Sequence, residues 1–431
     1  MPKITHNTAR SLSGQDYKTL ALSALGGALE FYDFIIFVFF AAVLGALFFP
    51  PDTPEWLRQL QTFGIFAAGY LIRPVGGVIM AHFGDLLGRK KMFTLSIFLM
   101  AVPTLAMGLL PTYAQIGIAA PMALLGLRLL QGAAIGGEVP GAWVFVAEHV
   151  PAKRMGLACS ILTAGLTLGI LLGSLAASAI NRLFSPEEIA EYAWRIPFVL
   201  GGVFGLLAVY LRRHLAETPV FAELAKQHQL AKELPLKTVV REHKVGVAVS
   251  MLVTWVLSAA VVVVILMTPS LLQSQYGISP LQALNANALA IVLASVGCVI
   301  AGLLADRFGL GVVYSAGGLL MLVSSLSFYS LLPTYPEWLL ALYGFAGLGI
   351  GVLGAVPLVM VRAFKADVRF SGLSFSYNLA YAICGGFTPI LVSLLSSLSP
   401  SGPGLYVAAL SVVLLGLGLW LGRSGRFSQA Q

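Results

Sequence analysis

Twelve apolar runs, each long enough to cross a lipid bilayer, dominate this sequence. They lie near residues 19–48, 60–83, 92–110, 114–149, 157–180, 195–211, 246–272, 283–305, 312–332, 338–362, 372–396 and 405–422. A spanning helix needs about 20 apolar residues. Backbone amides cannot stay unpaired in lipid, so continuous runs become helices. The alternation of an outer-membrane barrel is missing. Of the 431 residues, 58% are hydrophobic and only 10% charged, whereas soluble domains carry about 25% charged residues. A soluble enzyme, a nucleic-acid-binding domain and a secreted disulfide scaffold are therefore excluded. The polar residues 1–18 precede a run long enough to span, so no cleavable signal peptide is expected.

The formal charge of +8 sits in short loops rather than on one face, which argues against a nucleic-acid partner. With the N-terminus inside, the inner segments hold 21 Lys and Arg and the outer loops three. The bias predicts that both termini are cytoplasmic. The longest charged stretch, 212–245, reads as a cytoplasmic linker, partly helical and lying along the membrane surface. Gly84-Asp85 through Lys91 is weakly repeated at Gly302 through Gly309. The repeat predicts an all-α membrane protein of twelve transmembrane helices in two six-helix halves, residues 1–211 and 246–431, related by an axis along the membrane normal. Cys159, Cys298 and Cys384 all fall in apolar runs and imply no disulfide framework.

Ionisable residues inside a span are costly and usually face a cavity or a partner. The first half holds Glu30, Asp33, Arg73, Arg128, Glu138 and Glu148. The second half offers neutral groups, Asn285, Asn287, Tyr377, Asn378 and Tyr381. Glu30 and Asp33 are three apart on one helix face, and two carboxyls so close in a low dielectric do not both ionise easily. Asp33 with Arg128 is the expected proton-coupling pair, supported by Glu30; a static ion pair is the alternative. Arg73 precedes Pro74, which permits a kink. Its planar guanidinium suits a substrate carboxylate, or else it is structural. Gly165, Gly169 and Gly173, and again Gly347, Gly351 and Gly354, have the spacing of close helix contacts. The histidines lack metal-ligand spacing, no metal site is expected, and a phosphate-cradling loop ending in Gly-Lys-Ser/Thr is absent. Transport driven by ATP on this chain is not expected.

Several strings resemble the major facilitator superfamily. Gly84-Asp85 through Lys91 is similar to its helix 2–3 signature, and Arg128-Leu129-Leu130-Gln131-Gly132 to its helix-four motif. Others resemble its metabolite–proton symporter branch: Leu29-Glu30-Phe31-Tyr32-Asp33-Phe34, Arg73-Pro74-Val75-Gly76-Gly77, Gln131 through Glu138, Trp194-Arg195-Ile196-Pro197-Phe198, Glu217-Thr218-Pro219-Val220-Phe221, and Tyr377-Asn378-Leu379-Ala380-Tyr381 followed by Gly385-Gly386. The resemblance implies proton-driven uptake of a small carboxylate-bearing metabolite by alternating access in the inner membrane. It also implies no cofactor beyond the proton gradient and no need for an oligomer. Substrate contacts are expected from Arg73, Gln131, Glu138, Tyr377, Asn378 and Tyr381. A cytoplasmic gate is expected from Asp85, Arg89, Glu148, Arg154, Asp306 and Arg307. The chain departs from the pattern at Leu86, where Arg is favoured, at Ala81, where Gly is usual, and at Phe37, where several relatives carry Tyr. Helix seven, with Ala259-Ala260-Val261-Val262-Val263-Val264, lacks an aromatic pair of the branch. The short stretch after the last run implies no coiled-coil tail of the osmosensing kind. The rival readings are an exporter or antiporter, and a non-transporting membrane receptor. The Gly165–Gly173 stretch lacks the Pro of exporters, which favours symport.

Overall fold

The computed structural model describes residues 11–212 and 235–427; within them the side chains of Asp85 and Arg89, among a few others, lie outside the described residues. Among the described residues, eleven helices are long and apolar enough to cross a membrane, and a bent pair completes twelve. They are α1 (Gly14–Phe39), α2 (Gly64–Gly84), α3 (Lys90–Leu109), α4 (Ala119–His149), α5 (Ala152–Leu183), α6 (Arg195–Tyr210), α7 (Lys244–Tyr276), α8 (Leu281–Phe308), α9 (Leu310–Leu331), α10 (Pro336–Arg362), α11 (Arg369–Leu398) and α12 (Gly402–Ser424). Pro186–Ala193 leads into α6 at a bend of 44°. The spans carry no strands, as lipid demands of an open chain.

Where the helices depart from ideal geometry, the sequence supplies the cause. The run at 19–48 breaks at Phe40, and a second piece, Ala41–Phe48, follows. In α2 the regular turns stop at Leu71 and restart at Arg73, because Pro74 has no N–H to give. A wide π-type turn at Val261–Met267 precedes Pro269 in α7, and the Thr268 hydroxyl donates to the Val263 carbonyl 2.8 Å away. Gly351–Ala355 in α10 tightens to a 3₁₀ turn just before Pro357, and Tyr381–Gly385 widens in α11.

Small residues set the helix crossings. A side chain at Gly165 would fall 2.6 Å from the Ala24 carbonyl of α1, and one at Gly351 would fall 2.5 Å from Gly297 of α8. The predicted glycine spacings therefore mark the α1–α5 and α8–α10 crossings, where backbones touch. In the first half α1 packs on α5, α2 on α4 and α3 on α6; six helices later α7 packs on α11, α8 on α10 and α9 on α12. The halves meet through α5 with α8, and through α11 with α2 and α4.

The end of the bundle carrying the loops after α2, α4, α8 and α10 is rich in Lys and Arg, and is called the basic end below. Much of the linker, 213–234, lies outside the described residues, as does the motif at Glu217–Phe221. Its last part, Pro235–Glu242, is a short helix that packs on α2, α7 and α11 with Val239 buried.

Candidate functional site

Two buried guanidiniums occupy the centre of the molecule. Arg73 on α2 and Arg128 on α4 are each almost fully enclosed. Both stack on one ring, Phe34 of α1, with guanidinium carbons 4.6 and 4.0 Å from its centroid. Arg73 also lies over Tyr70 (4.1 Å) and Tyr381 (4.8 Å), and Arg128 over Phe37 (4.6 Å) and Phe66 (4.9 Å). The Tyr70 and Tyr381 rings stack in parallel at 5.5 Å, joining α2 to α11. Tyr377 meets Tyr381 at 5.3 Å and the edge of Trp143 at 5.3 Å. Aromatic faces stabilise a desolvated cation by up to about 2 kcal/mol each, but they do not neutralise it.

Arg128 donates to the Gln131 side-chain oxygen (2.8 Å) and to the Phe34 carbonyl (3.3 Å). Gln131 in turn donates to the Thr104 hydroxyl of α3 at 2.6 Å. Among the described residues neither Arg73 nor Arg128 forms an ion pair. The expected pairing of Asp33 with Arg128 is therefore not made in this structure. Asp33 is fully buried and faces α6, with both carboxyl oxygens lacking a hydrogen-bond donor. Helix geometry explains the separation: Phe34, the next residue, takes the face toward Arg128, and Asp33 is turned about 100° from it.

Glu30 and Glu138 are buried, and Glu138 accepts a hydrogen bond from Ser96 of α3. Asn378 is committed to contacts between helices. Its amide nitrogen donates to the Gly136 carbonyl (2.6 Å) and to the Ser374 carbonyl (2.8 Å). Ser374 itself donates to the Gly77 carbonyl at 3.0 Å. Ser374 and Asn378, one turn apart, bolt α11 to α2 and α4 where Gly77 and Gly136 leave room.

At the basic end, Glu148 of α4 pairs with Arg369 of α11 at 2.9 Å, with side chains 0% and 3% exposed. Asp306 of α8 accepts from the backbone amides of Gly156 (2.7 Å) and Leu157 (2.9 Å), capping the start of α5. A carboxylate at a helix N-terminus is favoured by the unpaired amides and the helix dipole. Glu148 and Asp306 thus join the two halves at this end. Arg154 and Arg307 are exposed, and Arg307 lies over its neighbour Phe308 (5.1 Å). The basic partner of Glu148 is Arg369, which in the sequence is one more Arg of a basic loop. Tyr70, Phe66, Trp143 and Ser374 were missed too. The first two were findable: Tyr70 lies three residues before Arg73, and Phe66 one turn earlier.

The Major Facilitator Superfamily model matches residues 34–389. The chain belongs to that superfamily. It is 31% identical over 414 residues to the inner membrane metabolite transport protein YhjE of Escherichia coli (strain K12), covering 92% of each chain. It is also 31% identical over 426 residues to the glycine betaine/proline/ectoine/pipecolic acid transporter OusA of Dickeya dadantii (strain 3937), covering 95% of this chain and 83% of that one. In fold it matches the proton:xylose symporter XylE bound to 6-bromo-6-deoxy-D-glucose, with a TM-score of 0.78, 18% identity and 95% of each chain covered. The chain is a multi-pass membrane transporter of the superfamily and not an enzyme.

Proposed function

We propose that this superfamily member imports a small carboxylate-bearing metabolite together with a proton, by alternating access. The carrying observation is the pair of buried guanidiniums around Phe34 with no carboxylate partner among the described residues. Burying two such cations is costly, and an anionic group on the substrate offsets that cost when it enters. Arg73 and Arg128 bind the carboxylate, and Tyr70, Tyr377, Tyr381 and Phe66 form the walls. Gln131 orients Arg128. OusA is named as a transporter of glycine betaine, proline, ectoine and pipecolic acid. Each of those molecules bears a carboxylate and a cationic nitrogen. The aromatic walls suit the nitrogen and the arginines suit the carboxylate.

Asp33 carries the proton. Its carboxyl is buried without a donor, an environment that disfavours the charged form. Arg128, one helix face away, supplies the cation an ionised Asp33 requires. The proton gradient is the energy source and no cofactor takes part. The basic end faces the cytoplasm, following the loop-charge bias. Glu148–Arg369 and Asp306 close that end while the opposite end admits substrate.

Purified protein in liposomes tests the reading. Zwitterionic and dicarboxylic metabolites are added with and without an inward proton gradient, and current and external pH are followed. Symport raises the external pH on substrate addition; exchange lowers it. Asp33→Asn is expected to abolish gradient-driven accumulation while counterflow persists. Arg73→Lys is expected to raise the half-saturating substrate concentration about tenfold or more, since Lys cannot reproduce a bidentate contact. Accumulation in Asp33→Asn would overturn the proton assignment. Unchanged affinity in both Arg73→Lys and Arg128→Lys would overturn the carboxylate site.

A further inference from the structure

Asp33 occupies a hollow that two missing side chains create. Gly201 and Gly205 lie one turn apart on α6, facing α1. A Cβ at Gly201 would stand 2.5 Å from one Asp33 oxygen, and a Cβ at Gly205 would stand 3.1 Å from the other. The rest of the wall is apolar or already committed. The Gly201 position is 3.0 Å from the Thr104 methyl and 3.2 Å from the Tyr32 ring. Tyr32 spends its hydroxyl on the Pro197 carbonyl at 3.0 Å. Thr104 donates to Met100 (2.9 Å) and accepts from Gln131. No hydrogen-bond donor is left for the carboxyl.

The charged and titratable surroundings are sparse. On α1 itself they are Tyr32 beside Asp33 and Glu30 one turn away. From α4 comes Arg128, held by Phe34 and Gln131. The α3 and α6 walls offer Thr104, Ala101 and glycine, none of them ionisable, and α5 meets α1 through Gly165 and Gly169. A dry, donor-free hollow accepts a neutral carboxyl and rejects an ionised one.

We infer that Gly201 and Gly205 are positioning residues for Asp33, forming a berth into which its protonated carboxyl withdraws, away from Arg128. The inference rests on the proposed role of Asp33 as proton carrier. The berth gives the carrier two stations. Protonated, the carboxyl lies against α6; ionised, it must leave for Arg128 or water. Loss of the proton is thereby tied to a side-chain movement toward the substrate-binding arginines. Four carbon-bound hydrogens on two glycines set that geometry, and any larger side chain fills it.

The test compares Gly201→Ala, Gly205→Ala and Gly202→Ala. Gly202 is the control for helix displacement: its added methyl would press on the Leu105 backbone of α3 at 2.8 Å and not on Asp33, so it moves α6 against α3 without filling the berth. Gradient-driven uptake and counterflow are measured as functions of pH. In Gly201→Ala and Gly205→Ala the uptake profile should move to more acidic pH by about one unit, a tenfold change in proton concentration. Counterflow should persist, and Gly202→Ala should keep the parent profile. If Gly201→Ala does not fold, Gly205→Ala serves in combination with Ala101→Gly, since its methyl presses on the Ala101 methyl of α3 before it reaches Asp33 at 3.1 Å. Infrared difference spectra give a second readout. The parent should show a carboxylic-acid carbonyl band typical of a group without a donor, absent in Asp33→Asn and shifted in Gly205→Ser, whose hydroxyl can donate. Equal profiles in all three glycine variants, with Asp33→Asn still uncoupled, would refute the berth alone. Coupled uptake in Asp33→Asn would instead refute the carrier assignment on which it rests.

Discussion

Arg369→Gln should open the basic end. The Glu148–Arg369 pair lies between α4 and α11, is almost fully dry, and crosses from one half to the other. Arg369 also donates to the Val361 carbonyl at 3.2 Å. Neutralising Arg369 takes a buried cationic partner away from Glu148, which costs about 3 kcal/mol. That cost falls only on the state in which α4 and α11 touch, because an open basic end lets water solvate Glu148. At about 1.4 kcal/mol per tenfold, the open fraction should rise roughly a hundredfold. Cys159 reports the change. It is buried on α5, one turn from the Gly156 amide that Asp306 caps. With Cys298→Ser and Cys384→Ser as background, the rate of maleimide labelling at Cys159 in nanodiscs measures opening. The variant should label far faster than its parent. The double variant Glu148→Gln/Arg369→Gln should lie between them, because neutralising both partners strands no charge. A labelling rate in Arg369→Gln within about a factor of two of the parent, in protein shown to be folded, would refute the gate.

Three further outcomes follow from the same contacts. Asp306→Ala leaves the Gly156 and Leu157 amides without their acceptor at a cost of about 1–3 kcal/mol, so Cys159 labelling should accelerate about tenfold; an unchanged rate means that the cap does not hold the halves together. Gly165→Val forces a side chain against the Ala24 carbonyl and should destabilise the protein by about 1–3 kcal/mol, read as a lower thermal midpoint by intrinsic fluorescence; no shift means that α1 and α5 can part freely. Asn378→Ala loses the hydrogen bond to the Gly136 carbonyl that crosses between the halves and should change the maximal transport rate while leaving half-saturation alone; a change confined to half-saturation would return Asn378 to the substrate wall.

The twelve spans were legible because lipid leaves the backbone no alternative to helix, and apolar length alone reveals them. Both glycine triplets were read correctly as crossings, since only close backbones need that spacing. Glu148 and Asp306 stand out in the sequence by their motifs, but Arg369, the partner of Glu148, does not. One more Arg in a basic loop looks like topology until packing shows it dry against a carboxylate. Asp33 and Arg128 do not touch in this structure for a related reason. Sequence shows two opposite charges in neighbouring spans, but a rotation of 100° per residue decides which meets which. Here Phe34 takes the face toward Arg128. The berth at Gly201 and Gly205 left no signal that single-sequence reading could separate from ordinary small-residue packing.

The two halves share a fold but not a role within it. Buried charge is denser in the first half, at Glu30, Asp33, Arg73, Arg128, Glu138 and Glu148, than in the second, where Arg362 and Arg369 carry it. Irregular turns gather in α7, α10 and α11 of the second half, at 261–267, 351–355 and 381–385. Of their counterparts by the repeated packing, α4 is helical from Ala119 to His149 and α5 from Met155 to Leu183, while α1 breaks at Phe40. The division has a physical rationale. Buried ions tolerate little displacement before their partners are lost, so the long unbroken α4, which carries Arg128, Glu138 and Glu148, must be stiff. Turns that are already irregular can change pitch at lower cost than an intact helix, because fewer good hydrogen bonds are surrendered. Tyr381, which stacks on Tyr70 and faces Arg73, sits at the first residue of such a turn. The irregular turn of α11 therefore lies directly against the charged centre of the other half, where a change of pitch on one side alters the surroundings of Arg73 on the other.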